Sequence, residues 1–365
     1  LSTSTINLFE EMALSKWSKL LQKYLFYYKD GFFELPYLSN SPKLMVDSFI
    51  KNPVNKHNPL VKSISSNNPF CKVMIRYREL EEGFWVLAYD IDIKQNIIAK
   101  TIYDENLESD YYFLTFSAFD YEFTLKDNSS KKEILLSTCW TFYKPKTNVS
   151  SYFYEGTSGK FYNIVFNKKW AEKNLAIDTI PNANELQNFL NLKTGFLTWL
   201  DIVPDAHRIS KEISSILTLE KDGVFNTRKL RNSIFELVTS FFKTALKETR
   251  IQKYSSLGNL DYANASRAEK MILHNLSVAF IGIDVIAANV NMSPTKLKVI
   301  FKSVFGVSML QYHKEKNLLL AEQLVKNSDV QIKNIAITTG FESASKFSAS
   351  FKKRFGILPS ELRNS

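Results

Sequence analysis

Ser293-Pro-Thr-Lys-Leu-Lys-Val-Ile-Phe-Lys-Ser-Val-Phe-Gly306 and Ser343-Ala-Ser-Lys-Phe-Ser-Ala-Ser-Phe-Lys-Lys-Arg-Phe-Gly356 are one pattern written twice, 50 residues apart. A serine is followed four, eight and twelve places on by apolar residues (Leu297, Phe301, Phe305; Phe347, Phe351, Phe355) and then by glycine. Steps of four keep side chains on one side of a helix. Serine ahead of the first turn accepts a hydrogen bond from an unpaired amide, and glycine past the last turn takes the left-handed conformation that ends a helix. An Ile-Ala pair precedes each copy, Ile286-Ala287 and Ile335-Ala336, displaced by 49, so the second copy holds one more residue before its serine. Each copy therefore reads as a short helix, a tight turn and a longer helix, the sequence form of a helix-turn-helix.

In the first copy Asp284 to Val290 is the expected supporting helix and Asn291 the left-handed turn residue, a conformation Asn tolerates. Ser293 caps the next helix, and Pro294 at its first position has no amide proton to lose. Leu297, Ile300, Phe301 and Val304 fall on one side, leaving Thr295, Lys296, Lys298, Val299 and Lys302 on the other, with Gly306 as the stop. In the second copy Gln331 to Thr339 supports, Gly340 turns and Ser343 caps. Ala344, Ser345, Lys346, Ser348 and Ala349 then face outward, with Lys352, Lys353 and Arg354 further along. A helix from Ser308 to about Lys326 joins the copies, with Leu310, Tyr312, Leu318, Ala321, Leu324 and Val325 on its apolar face and His313 on its surface. It would span on the order of 27 Å, near one turn of B-DNA at about 34 Å. Two short outward faces so held suit consecutive major-groove segments of one duplex.

Charge agrees with that reading. The chain of 365 residues carries +10, and residues 284–365 hold twelve Lys and Arg against six Asp and Glu. A basic excess concentrated on the repeated pattern points to a polyanion.

The preceding residues are of another kind. From Phe33 to Pro69 the Pro, Asn and Ser content predicts loops with short strands. Between Cys71 and Phe166, aromatic and β-branched segments are expected as strands: Gly83 to Ile93, Asn96 to Tyr103, Tyr111 to Leu125, Ile134 to Tyr143, Tyr152 to Tyr154 and Phe161 to Phe166. Turn-like clusters at Asp127-Asn-Ser-Ser and Gly156-Thr-Ser-Gly separate them, and an antiparallel sandwich or barrel follows. Helices are expected over residues 8–28, Ala183 to Trp199, His207 to Leu219, Asn226 to Lys247 and Asp261 to Asn275, with a linker from Glu248 to Asn259. Leu230, Ile234, Leu237, Val238, Phe241 and Ala245 make an apolar stripe that either packs on the β-rich part or pairs with a second copy; we favour the second, a homodimer.

At this length two domains are expected. Cys71, Cys139 and the scattered His57, His207, His274 and His313 give neither a disulfide framework nor metal-ligand spacing, so free thiols and no metal or cofactor are expected. No nucleophile and base stand together, so no catalytic residue and no enzyme is predicted. Glu10, Glu11, Lys16 and Lys19 interrupt the opening segment, and no apolar run approaches ~18 residues. A cytoplasmic protein without membrane contact is the expectation.

Ile283-Asp-Val-Ile-Ala, Met292-Ser-Pro-Thr-Lys-Leu-Lys, Phe301-Lys302, Ala321-Glu-Gln-Leu, Ile335-Ala336, Gly340-Phe341, Phe351-Lys352 and Gly356-Ile-Leu-Pro359-Ser-Glu together resemble the DNA-binding domain of the AraC/XylS family of bacterial transcription regulators. The resemblance covers about residues 260–365. It implies an α+β chain with a β-rich, cupin-like sensor at 1–175, a helical connector and dimerisation segment at 176–255, and an all-α domain with two helix-turn-helix units at 256–365. It also implies double-stranded DNA, a small-molecule effector and RNA polymerase as partners. Base-reading positions would be Thr295, Lys298 and Val299, then Ala344, Ser345, Lys346, Ser348 and Ala349. Ser293, Lys296, Lys302, Ser343 and Lys352 complete the DNA-facing set. The chain departs from the family in having Asn317 where the connector usually carries Arg. Val299 and Ala349 also stand where arginines are frequent, so thymine methyls and DNA shape are expected to carry much of the specificity. Two other functions compete: a metal-dependent enzyme built on the β-rich part, and a DNA-binding factor whose N-terminal part only dimerises.

Overall fold

The computed structural model describes residues 28–29, 31–125, 128–175, 190, 195–200, 213, 215, 217, 224–247, 259–276, 279–305 and 307–364. The helix expected over 8–28, the linker at 248–259 and the stop at Gly306 lie outside them, save Tyr28, which is in a strand, and Asn259, which opens a helix. Of His207 to Leu219, the three described residues Ile213, Ser215 and Leu217 are helical.

The first half is β. Strands β3 (Asn55–Asn58), β4 (Ser63–Asn67), β5 (Cys71–Glu81), β6 (Phe84–Ile93), β8 (Tyr111–Leu125), β9 (Asn128–Tyr143), β11 (Ser158–Asn167) and β12 (Phe196–Leu200) form an antiparallel sheet in the order β12-β9-β8-β11-β6-β5-β4-β3. A smaller sheet holds β1 (Tyr28–Lys29), β2 (Phe32–Leu38), β7 (Ile97–Ile102) and β10 (Ser150–Phe153) in the order β1-β2-β7-β10. The two share apolar core: Ile97 of the small sheet lies in one buried cluster with Ile75, Leu87, Tyr89 and Val165 of the large one. All six expected strands are present. The small sheet departs from an antiparallel scheme, because β2 and β7 run parallel. Four strands intervene between them, so no hairpin turn dictates their direction.

Four local expectations are corrected. Residues 128–130 of the supposed turn belong to β9. Pro42 does not break structure: it occupies the first turn of helix α1 (Pro42–Lys51), where Ser41 Oγ accepts from the Leu44 amide at 3.2 Å, and a missing amide proton costs nothing there. Phe196 to Trp199, read as helical, pair with β9 from Phe196↔Tyr143 to Trp199↔Trp140; Gly195 (φ 136) precedes them, and the backbone ladder with β9 outweighs a short helical period. The fourth concerns the apolar stripe. After helix α2 (Lys168–Leu175) comes α3 (Val224–Lys247), and its Leu230, Ile234, Leu237, Val238, Phe241 and Ala245 are all buried in this chain. Phe241 lies 5.4 Å from the Trp140 ring and Phe242 5.5 Å from Phe142. The stripe covers the β-sheet and is not available to a second copy.

The β interior sets a pH dependence. Lys144 is buried, its ammonium donates to the Leu190 carbonyl, and burial lowers its pKa from 10.5 to about 8. Between those values the unfolded chain binds more protons than the folded one, so stability rises with pH. Tyr37 acts oppositely: burial pushes it from 10.0 to about 12, so its contribution is complete below 10 and is lost as pH climbs. Thermal unfolding is expected to pass through a stability maximum near pH ~10. Lys144→Met should remove the rise on the acid side and leave the fall.

The second half is helical: α4 (Asn259–His274), α5 (Ile283–Asn289), α6 (Pro294–Phe305), α7 (Met309–Asn327), α8 (Ile332–Thr338), α9 (Ala344–Phe355) and α10 (Pro359–Arg363).

Candidate nucleic-acid interface

The turn between α5 and α6 is closed by the Met292 amide donating to Ala287 O at 3.0 Å, with Asn291 left-handed at φ 54. Its counterpart between α8 and α9 is closed by Phe341 donating to Ala336 O at 2.9 Å, with Gly340 at φ 78. The sites are equivalent, and the extra residue of the second turn is absorbed before Ser343. A Cβ on Gly340 would meet nothing within 4 Å, so the glycine serves backbone conformation alone.

Each longer helix is capped as its serine requires. Ser293 Oγ accepts from the Lys296 amide at 3.3 Å and Ser343 Oγ from the Lys346 amide at 3.2 Å. Gly356 ends α9 at φ 77, its amide donating to Lys352 O at 2.8 Å. Leu297, Phe301, Phe347 and Phe351 are fully buried. Phe301 lies 4.5 Å from Phe305 and Phe351 4.6 Å from Phe355, so the same ring pair anchors both helices.

These anchors determine what faces water. Ser293, Thr295, Lys296, Lys298, Val299 and Lys302 are exposed on α6 and the residue before it, Val299 by 65%. Ser343, Ser345, Lys346, Ala349 and Lys352 are exposed in the second pair, with Ala344 and Ser348 half-buried. All thirteen positions thus lie at the surface, in two groups. Their charges are not equally available. Lys296 is ion-paired with Asp261 of α4 at 2.8 Å, and Lys346 is bonded to Glu342, whose carboxyl it holds below the usual range. Lys298, Lys302, Lys352 and Lys353 have no carboxylate within bonding distance among the described residues.

The connector α7 is capped by Ser308, whose Oγ accepts from the Gln311 amide at 3.3 Å while Gln311 Oε1 accepts from the Ser308 amide at 3.1 Å. Its nineteen residues rise about 28 Å. Tyr312, Leu318, Ala321, Leu324 and Val325 are buried as expected, but two positions are exchanged. Leu310 is 43% exposed, whereas His313 is buried with its ring 5.5 Å from Phe280. Lys316 and Asn317 are buried on the same side. The spacing of apolar residues around α7 carried no sign that this polar side is covered. Arg354 of α9 is bonded to Glu315 of α7, which ties the second long helix to the connector.

Comparison with known proteins places the similarity here. A helix-turn-helix domain family matches residues 286–365. The HTH-type transcriptional regulator ExsA of Pseudomonas aeruginosa is 44% identical over 72 residues, which are 20% of this chain and 26% of that protein. The virulence regulon transcriptional activator VirF of Yersinia enterocolitica is 28% identical over 151 residues, 38% of this chain and 55% of that one. The probable transcription factor PqrA of Proteus vulgaris is 35% identical over 83 residues, 23% of this chain and 68% of that one. The chain thus spans about a quarter of ExsA and about half of VirF. These relatives are named as regulators of transcription, not as enzymes. Among the described residues, no helix is long and apolar enough to cross a membrane.

Proposed function

The chain belongs to the AraC/XylS family of transcription regulators, and we propose that it binds specific DNA sequences through two helix-turn-helix units, α5–α6 and α8–α9, carried on α7. The supporting observation is the repeated geometry: two serine-capped helices on the same phenylalanine anchors, each presenting an uncommitted lysine, Lys302 or Lys352, from its outer side. In this reading those lysines meet phosphates. Thr295, Lys298, Val299, Ala344, Ser345, Lys346, Ser348 and Ala349 face base edges, and Lys296 is held by Asp261. Selection of bound duplexes from a random library tests it. The expected result is an enriched site of about two major-groove segments whose affinity falls steeply with salt. Equal binding of all sequences at moderate salt would remove the proposal.

The division into a sensor at 1–175, a connector at 176–255 and a DNA-binding part at 256–365 belongs to the same proposal, with a cupin-like sensor responding to a small molecule in the cytoplasm. Its support is an interior rich in phenols: Tyr89 is buried, Tyr37 and Tyr103 are half-buried, and burial raises the pKa of all three. Such hydroxyls offer a polar handle inside an apolar enclosure. Repeating the selection with cell extract should change the amount or length of the enriched site; an unchanged selection would favour a factor that ignores small molecules. RNA polymerase and a second copy are the proposed partners. With the α3 stripe taken, the second copy must use another surface, and light scattering that gives only the monomer mass would remove the dimer.

A further inference from the structure

Helix α4 has two faces of different chemistry. One is apolar and belongs to the helical half: Ala265, Ala268, Ile272 and Leu273 are almost fully buried, Asp261 pairs with Lys296 of α6, and Glu269 accepts the Tyr312 hydroxyl of α7 at 2.7 Å. The other meets the β half with cations and an imidazole set on rings. The Arg267 guanidinium lies 5.2 Å from the Phe32 ring centre, and the Lys270 ammonium 5.3 Å from that of Phe119. The His274 ring lies 5.1 Å from Tyr154. Phe32 is itself wedged edge-on between Tyr152 and Tyr154, each 5.2 Å away, so the small sheet offers a built aromatic seat. Lys270 also reaches Glu269 at 3.3 Å.

These faces would not separate alike. Parting α4 from α6 and α7 would expose aliphatic side chains to water, whereas parting it from the sheet would return cations to water. At α4 the sheet side is therefore the face that parts more readily, and the Asp261–Lys296 pair ties α6 to α4. Among the described residues, the second unit has no buried aliphatic pair at the places that match Ile300 and Val304. Ile300 and Val304 of α6 are buried in the same apolar cluster as Phe196 of β12 and the α3 stripe, while fifty residues on their places are taken by half-buried Ser350 and exposed Arg354.

We propose that Arg267, Lys270 and His274 are positioning residues through which the N-terminal half sets how the first helix-turn-helix unit meets DNA, while the second unit binds independently of that half. The proposal rests on the DNA-binding reading above. Hydroxyl-radical footprinting of the full chain on its selected site tests it, with the two tracts assigned by Lys302→Ala and Lys352→Ala. Arg267→Gln combined with Lys270→Gln should shift the half-protection concentration at the first unit's tract at least fivefold and at the second unit's less than twofold. Arg267→Lys with Lys270→Arg should restore the original pattern, which a merely structural role does not predict. Phe32→Leu, made on the sheet side, should reproduce the selective shift and carries the comparison if the double variant unfolds. Equal shifts at both tracts, or none, would overturn the proposal and leave DNA binding intact. No protected tract with the unsubstituted chain would instead remove the DNA-binding reading, and this proposal with it.

Discussion

Phe351→Ala is expected to destabilise the second helix-turn-helix unit by about 3 to 5 kcal/mol and to abolish sequence-specific binding. The ring is fully buried, 5.5 Å from Phe347 and 4.6 Å from Phe355. Its removal leaves a cavity that α9, a helix of twelve residues held by two main anchors, is poorly placed to close. That loss is a large part of the whole stability of an ordinary domain. Phe301→Ala should cost as much in the first unit and do more besides: Phe301 lies 5.6 Å from Tyr312, whose hydroxyl holds Glu269 of α4. Denaturant unfolding, followed beside a titration with the selected duplex, checks both. Retention of specific affinity by either variant would show that these helices are not seated by their rings.

The second large effect is electrostatic. Lys302 and Lys352 stand fifty residues apart at matching places on their helices, both exposed, with no carboxylate in reach among the described residues. Replacing both with Ala should lower the slope of log affinity against log salt by about 2 and weaken binding on the order of thirtyfold at ~0.15 M salt. The loss should be the same for cognate and altered sequences, because phosphates carry no sequence information. A loss confined to the cognate site would move these lysines to base edges.

The helical half was readable because its determinants are local and repeated. Serine, glycine and every fourth residue act within one or two helical turns, so their spacing alone places the caps, anchors and outer faces. In the large sheet β6, β8, β9 and β11 were readable from alternation and aromatic content, whereas β5 was not named as a strand and β12 was read as helix. What escaped depends on distant parts of the chain. The Lys296 charge is committed because Asp261, in an earlier helix, folds beside it. His313, Lys316 and Asn317 are buried against their polar character because the connector is covered there. The α3 stripe looks equally fit for a partner chain or for the sheet beneath it; only the packing of Phe241 and Phe242 on Trp140 and Phe142 decides. Pro42 misled for a different reason, since its meaning turns on one position relative to Ser41. Nothing in the outer faces, where Val299 and Ala349 replace longer donors, names the bases they meet.

The central claim is that one chain places two reading helices in consecutive major-groove segments along α7. A hydroxyl-radical footprint of the full chain on its selected site, at one chain per duplex by light scattering, tests it most directly. The account predicts two protected tracts on one face of the duplex, about 10 base pairs apart. A single tract of one groove segment, or protection spread evenly along the duplex, would contradict it.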